Sequence, residues 1–380
     1  MMKRPETAIE EPLNRGSRGI IRQPDSLPAF MALSSDQRLA WVRSYPGVSA
    51  GPIWRTARFL AFSRPRTCVP GMLAFYVACV VHGVSGNPVS TADLVAGLVV
   101  SYHIAAIANL YNLYTDIIED NENIPSRVFE LGLYGRERLL RHTHLLTAGV
   151  FIVSLTVNFS YAGLTLLALI GCQQYSFGPM RMKARPRVGI LYFANAVAYP
   201  YASAALASPE QVRAFADPKF SALGLYLFVW FCAKGLIKNV PDYDGDKRVN
   251  VTTSATLSSS RRSAALIAAV ATVVVYAGIA IPVALGFIEP RYLFGLVWLP
   301  VACLQACRLV AASAQASWND MLRDDMVVSV GYLSTLILIE DLSLRSAAVV
   351  AAGLAVMMLA DRLGLDTRRK DDFAAADPLA

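Results

Sequence analysis

Two short segments put carboxylates at helical spacing at the ends of apolar stretches long enough to cross a membrane. They are Asn112-Leu-Tyr-Thr-Asp116-Ile-Ile-Glu119-Asp120 and Asp242-Tyr-Asp-Gly-Asp246. On a helix Asn112, Asp116 and Asp120 fall at i, i+4 and i+8 and share nearly one face, and Asp242 and Asp246 repeat the i, i+4 pair. A carboxylate costs about 2.5–3.5 kcal/mol at the bilayer centre, so acids clustered at membrane-helix ends mark function. Asp and Asn offer hard oxygen ligands. These suit Mg²⁺, with Mn²⁺ as a substitute, a metal that keeps waters and is completed by phosphate oxygens. Two such faces meeting across a cleft would hold divalent ions against a diphosphate. Glu119 and Asp244 interrupt the rows and are expected to point elsewhere, as solvated or capping residues.

Between the acidic segments lies Tyr175-Ser-Phe-Gly-Pro179-Met-Arg181-Met-Lys183-Ala-Arg185, whose cations would neutralise a diphosphate that metals only partly screen. Arg185 and Arg187 read equally well as orientation signals. The four His do not build a site: His142 and His144 straddle a helix start, and His82 and His103 stand alone. The six Cys show no Cys-x-x-Cys spacing and read as small core residues rather than disulfides or ligands.

The elements that must position these residues are membrane helices. With 55% apolar and 17% charged residues and a mean hydropathy of +0.42, the 380-residue chain is too apolar for a soluble protein of two domains. Apolar spans of about 16 to 24 residues are marked near 67–84, 92–115, 142–158, 161–177, 189–207, 220–240, 263–284, 291–311, 326–341 and 345–362, giving an all-α bundle of nine or ten crossings. Before them, residues 1–62 form a polar arm without a signal peptide, in which 34–62 are expected to lie along the interface as an amphipathic helix. After them, 366–380 are expected to be a disordered tail.

Arg127, Arg136, Arg138 and Arg141 follow the second span, Arg181, Lys183, Arg185 and Arg187 the fourth, and Lys247, Arg248, Arg261 and Arg262 the sixth. The opposite loops are nearly bare, with only Arg213 and Lys219 near 208–219. By the positive-inside rule both acidic segments and the amino terminus are cytoplasmic, and the plasma membrane of a bacterium is the expected location. The net charge of +7 belongs to this face and to anionic lipid headgroups, not to nucleic acid.

Four stretches in order complete the pattern: Phe62-Ser-Arg64-Pro65-Arg-Thr67; Asn112-x-x-x-Asp116-x-x-x-Asp120-x-x-Asn123-x-Pro125; Tyr175-Ser-x-x-Pro179-x-Arg181-x-Lys183; and Lys238-Asn-Val-Pro-Asp242-x-x-Gly245-Asp246-Lys247. Together they resemble the UbiA superfamily of intramembrane prenyltransferases, most of all its homogentisate, chlorophyll and archaeal-lipid branch. The resemblance implies nine membrane helices around a central cavity, with Asn112, Asp116, Asp120, Asp242 and Asp246 holding Mg²⁺ and the diphosphate. Arg181 and Lys183 would grip the phosphates, with Lys238 as an additional contact. The chain departs from the pattern at Ile124-Pro125-Ser126-Arg127, where the cap over the acceptor side is expected to be built differently, and at Lys247-Arg-Val-Asn250.

The activity this implies is transfer of a prenyl group from an allylic diphosphate to an aromatic or other lipophilic acceptor in the membrane. Tyr102, Tyr111, Tyr114, Tyr192, Phe193 and Tyr199 are candidates to line the chamber that shelters the cation. Two other readings stay open: a cyclase of the same superfamily, in which the chain's own double bonds attack, and a transporter, disfavoured because the acids sit at one face and no inverted repeat is apparent.

Overall fold

The computed structural model describes residues 24–83, 89–207, 209–313 and 315–365, and every regular element among them is helical. The tail from 366 and the proposed first residues of the arm lie outside the described residues. Three short helices lead in: α1 (Leu27–Met31), α2 (Ser35–Ser44) and α3 (Pro52–Ser63). Then α4 (Pro65–Gly83) and α5 (Thr91–Thr115) form a long pair, followed by the short α6 (Ile117–Asn123) and α7 (Pro125–Tyr134). The bundle continues with α8 (Arg136–Leu155), α9 (Phe159–Ser176), α10 (Pro186–Ala204) and α11 (Pro218–Asn239). After the short α12 (Tyr243–Arg248) come α13 (Arg261–Ala277), α14 (Ala280–Ala284), α15 (Leu299–Ala311), α16 (Gln315–Glu340) and α17 (Leu344–Arg362).

Local sequence explains most of these boundaries. Pro at the first turn opens α3, α7, α10 and α11, where its missing N–H has no helical partner to lose. Side-chain caps set other starts: Ser90 accepts from the amide of Asp93 at 3.1 Å, Asn158 from Tyr161 at 2.8 Å and Ser260 from Ser263 at 3.1 Å.

Each of the ten apolar stretches marked in the sequence is helical over most of its described residues, the seventh being broken between Ala277 and Ala280. Among the described residues five segments are long and apolar enough to cross a membrane by length and composition: Thr91–Thr115, Pro218–Asn239, Arg261–Ala284, Pro290–Ala311 and Leu344–Arg362. The stretch near 326–341 is the second half of the 26-residue α16. Its polar first half extends toward the acidic end of the bundle, which hydropathy alone hides.

At the core α4 packs against α5, α10, α16 and α17, while α11 joins α10 to α13. The Phe75 ring lies where a Cβ on Gly97 would stand, 2.0 Å from its edge, so only Gly lets α4 and α5 approach this closely. Ring contacts link Trp230, Tyr276 and Tyr332 across α11, α13 and α16. At one end of the bundle Lys219 meets Glu289 at 2.9 Å, Arg291 meets Glu340 at 2.8 Å and Arg345 donates to the carbonyl of Val89 at 3.3 Å. Both acidic segments sit at the other end.

The arm corrects one expectation. Residues 34–62 are two helices, not one amphipathic helix: Trp41 of α2 is buried in a ring cluster with Phe30 and Phe129, which docks the arm on α7. Ser35 accepts from the Asn121 amide at 2.7 Å and contacts Glu122, so the arm also abuts the first acidic segment. Among the described residues of the arm, α3 alone keeps large apolar side chains outward, Ile53 and Leu60.

Candidate active site

The helix carrying the first acids does not run straight through them. α5 ends at Thr115, Asp116 is its cap residue, and α6 restarts at Ile117. The same device recurs where α11 ends at Asn239 and Asp242 caps the start of α12. Both breaks swing a short acidic helix across the end of the bundle, and α6 and α12 pack against each other. A Cβ on Gly245 would sit 1.7 Å from Asn123 Oδ1, so the absence of a side chain at 245 permits this approach. Asn123 uses it to donate to Asp246 Oδ1 at 3.3 Å, tying the two segments directly.

One pocket results, and all eight residues singled out from the sequence line it: Asn112, Asp116, Asp120, Arg181, Lys183, Lys238, Asp242 and Asp246. Lys183 forms an ion pair with Asp116 and donates to Thr115 Oγ1 at 2.9 Å. Ser176 holds Asn112 Oδ1 at 2.7 Å. Lys238 lies over the Phe193 ring at 5.2 Å and the Tyr175 ring at 6.0 Å. Asp244 is exposed and pairs with Arg261, as a solvated residue should.

Glu119 corrects the reading of the first segment. It is buried, lines the pocket and meets Arg181 at 2.6 Å. The break at Asp116 is the reason, because face arithmetic for a continuous helix does not hold across it. Arg127, read only as an orientation charge, is also buried and meets Asp120 at 3.0 Å. The one signal for it was its place in Ile124-Pro125-Ser126-Arg127, where the chain departs from the family pattern.

The electrostatics are those of a cation site. Burial, then the Asp242 carboxylate, pushes Asp246 up to about 7, and burial raises Glu119 above the usual carboxylate range. Burial, then the Lys238 ammonium, brings Lys183 down to about 7, a pull that the Asp246 carboxylate opposes. Among the described residues Glu119 Oε2 is buried without a hydrogen-bond partner. Among the described residues no three acidic, His or Cys side chains converge to hold an ion unaided.

Beneath the pocket lies a cavity of about 500 Å³, mostly apolar in its lining, and the two share Asn112, Tyr175, Phe193 and Lys238. Of the six aromatic candidates Tyr192, Phe193 and Tyr199 line it, joined by Tyr175 and Phe231. Tyr111 and Tyr114 pack on Phe177 instead, and Tyr102 sits beside Cys68 and Ala105. These three lie on other faces of α5, which hydropathy alone does not separate.

The model of the UbiA prenyltransferase family matches residues 71–331, more than two thirds of the sequence and all of the pocket. The chain belongs to the UbiA prenyltransferase family. Solved structures agree on the fold of this UbiA protein. A digeranylgeranylglyceryl phosphate synthase superposes with a TM-score of 0.52 at 14% identity, over 76% of this chain and 99% of that one. A UbiA homologue from Archaeoglobus fulgidus bound to DMAPP and Mg²⁺ gives 0.55 at 16% identity, over 74% and 99%. The same homologue bound to GPP and Mg²⁺ gives 0.53 at 16% identity, over 74% and 99%. No curated protein matches the sequence. As a family member this chain is an enzyme of prenyl transfer, embedded in a membrane.

Proposed function

We propose that this UbiA prenyltransferase moves a prenyl group from an allylic prenyl diphosphate to an aromatic or other lipophilic acceptor, with Mg²⁺, at the cytoplasmic face of the membrane. The observation that carries this is the meeting of two acidic segments and three cations in one pocket directly above an apolar cavity. The resemblance in fold to a homologue bound to DMAPP or GPP with Mg²⁺ supports the donor class and the metal.

Asn112, Asp116, Asp120, Asp242 and Asp246 would hold Mg²⁺, whose charge stabilises the departing diphosphate. Arg181, Lys183 and Lys238 contact the phosphate oxygens and add positive charge where negative charge develops. Arg127 holds Asp120, and Asn123 holds Asp246, so the ligands are oriented before substrate arrives. Tyr192, Phe193 and Tyr199 surround the isoprenoid chain, keep water from the allyl cation and offer their ring faces to it.

The long helices alternate in direction between the two ends of the bundle, so we assign ten crossings with the acidic end cytoplasmic, where the basic loops lie. The test is mass spectrometry of products from purified protein given Mg²⁺ and donors from ten to twenty carbons, with and without phenolic acceptors. Acceptor-dependent prenylated product is expected. A cyclic hydrocarbon or terpenol released from donor alone would replace transfer with cyclisation, and an unconsumed donor would refute both.

A further inference from the structure

One pair of charges in the cavity has no part in the chemistry described so far. Lys234 of α11 and Asp325 of α16 meet at 2.6 Å with side-chain exposures of 0% and 4%, deep within two long helices, and both line the apolar cavity. Lys234 also donates to the Tyr276 hydroxyl at 3.1 Å and lies over the Trp230 and Tyr276 rings at 5.2 and 4.8 Å. Among the described residues the second carboxylate oxygen of Asp325 has no hydrogen-bond partner, and Asp325 faces the cavity.

Stability does not account for such a pair. Replacing a buried ion pair by apolar residues of similar volume is often neutral or stabilising, and ionisable groups inside membranes mark substrate paths by default. Its depth is informative. Lys238 lines both the acidic pocket and the cavity, and Lys234 precedes it by four residues, about 6 Å along the same helix face. A diphosphate held by Lys238 would keep the carbon bonded to its oxygen within about one turn of Lys234.

We propose that Asp325, oriented by Lys234, binds the acceptor through a hydroxyl group and takes its proton, which makes the acceptor class hydroxyl-bearing. This rests on the transferase reading above. In the step, the carbon–oxygen bond of the donor breaks and its electron pair leaves with the diphosphate. The hydroxyl proton passes to the free Asp325 oxygen, giving a neutral carboxylic acid that later returns the proton to water. The electron pair for the new bond to the prenyl carbon comes from the hydroxyl oxygen, or through an aromatic ring from a carbon ortho or para to it. In the ring case the displaced ring hydrogen restores the hydroxyl. Lys234 stays charged throughout and fixes the carboxylate.

The test uses the full chain in lipid nanodiscs with Mg²⁺, geranyl diphosphate and a panel of phenols, each paired with its O-methyl ether. Wild-type protein is expected to prenylate phenols and not the ethers. Asp325→Asn should lower prenylated product about a hundredfold, the lower range for loss of a general base. The donor should be diverted to geraniol as water captures the cation, while binding of geranyl thiodiphosphate changes less than twofold. Because Asp325→Asn leaves Lys234 unpaired, the double variant Lys234→Met with Asp325→Asn is measured beside it. The same diversion is expected there in protein of unchanged Tm, and Asp325→Glu should recover part of the product. Prenylation of the ethers, unchanged product in the double variant, or parallel loss of donor binding and product would each overturn the assignment. Wild-type protein that consumes donor but prenylates no phenol would also overturn it. Wild-type protein that consumes no donor overturns the transferase reading itself and this assignment with it.

Discussion

Gly245→Ala is the most exacting test of the site's geometry, because a single methyl group is added where the two acidic helices touch. Its Cβ would fall 1.7 Å from Asn123 Oδ1, whereas ordinary contact begins at 3.4 Å, so one of the two must yield by about 1.7 Å. The cheapest response is rotation of the Asn123 side chain, which breaks its 3.3 Å bond to Asp246. A buried hydrogen bond is worth about 1 kcal/mol net, and overpacking adds about 1–3 kcal/mol if α12 moves instead. A fold of this size tolerates either. Catalysis does not, since a misplacement of about 1 Å costs about a hundredfold in rate. We therefore expect kcat for donor consumption to fall about a hundredfold in Gly245→Ala with little change in thermal unfolding. Asn123→Ala makes room for the new methyl, so Gly245→Ala combined with Asn123→Ala should lose far less than the product of the single effects. Full activity in Gly245→Ala, or strictly additive losses in the cycle, would show that the contact between α6 and α12 does not set the metal site.

Asp242→Ala and Asp246→Ala should each lower turnover by orders of magnitude, while Asp244→Ala, exposed and paired with Arg261, should be mild; equal losses in steady-state kinetics would put Asp244 in the site. Asp246 is raised from 3.8 to about 7, so without metal the folded state binds the extra proton and thermal stability in chelator should fall as pH rises from about 4 to 7. Mg²⁺ needs the ionised carboxylate, so its affinity by calorimetry should climb through that window and level off above it; Lys183, lowered to about 7, adds an opposite stability slope only above that pH. A pH-independent Mg²⁺ affinity between 5 and 8 would remove Asp246 from the ligand set. Lys183→Gln removes a charge-assisted contact worth about 1.5–3 kcal/mol, so kcat/KM for the donor should drop about ten- to a hundredfold with the acceptor KM little changed. Normal donor kinetics in the double variant Arg181→Gln with Lys183→Gln would return both residues to a topological role.

The sequence by itself determined that this is a helical membrane protein and at which end of it the acids and cations gather. Apolar length demands helices in lipid, and acids and basic loops can gather only where water reaches. It also named eight of the residues that line the pocket, because their oxygen and cationic groups, spaced at intervals of four or two, keep their meaning whatever the exact path of the backbone. What it misjudged depended on that path. Glu119 turns inward because α5 breaks at Asp116, and Arg127 reaches Asp120 because α7 folds back beneath the arm. Only the tertiary structure decided which aromatics face the cavity, that Asn123 joins the two acidic segments above Gly245, and that Lys234 and Asp325 meet in its wall. Those contacts link residues as far as 91 and 123 positions apart. Periodicity gives the face of one helix, but which helix stands opposite is settled by packing across the whole bundle.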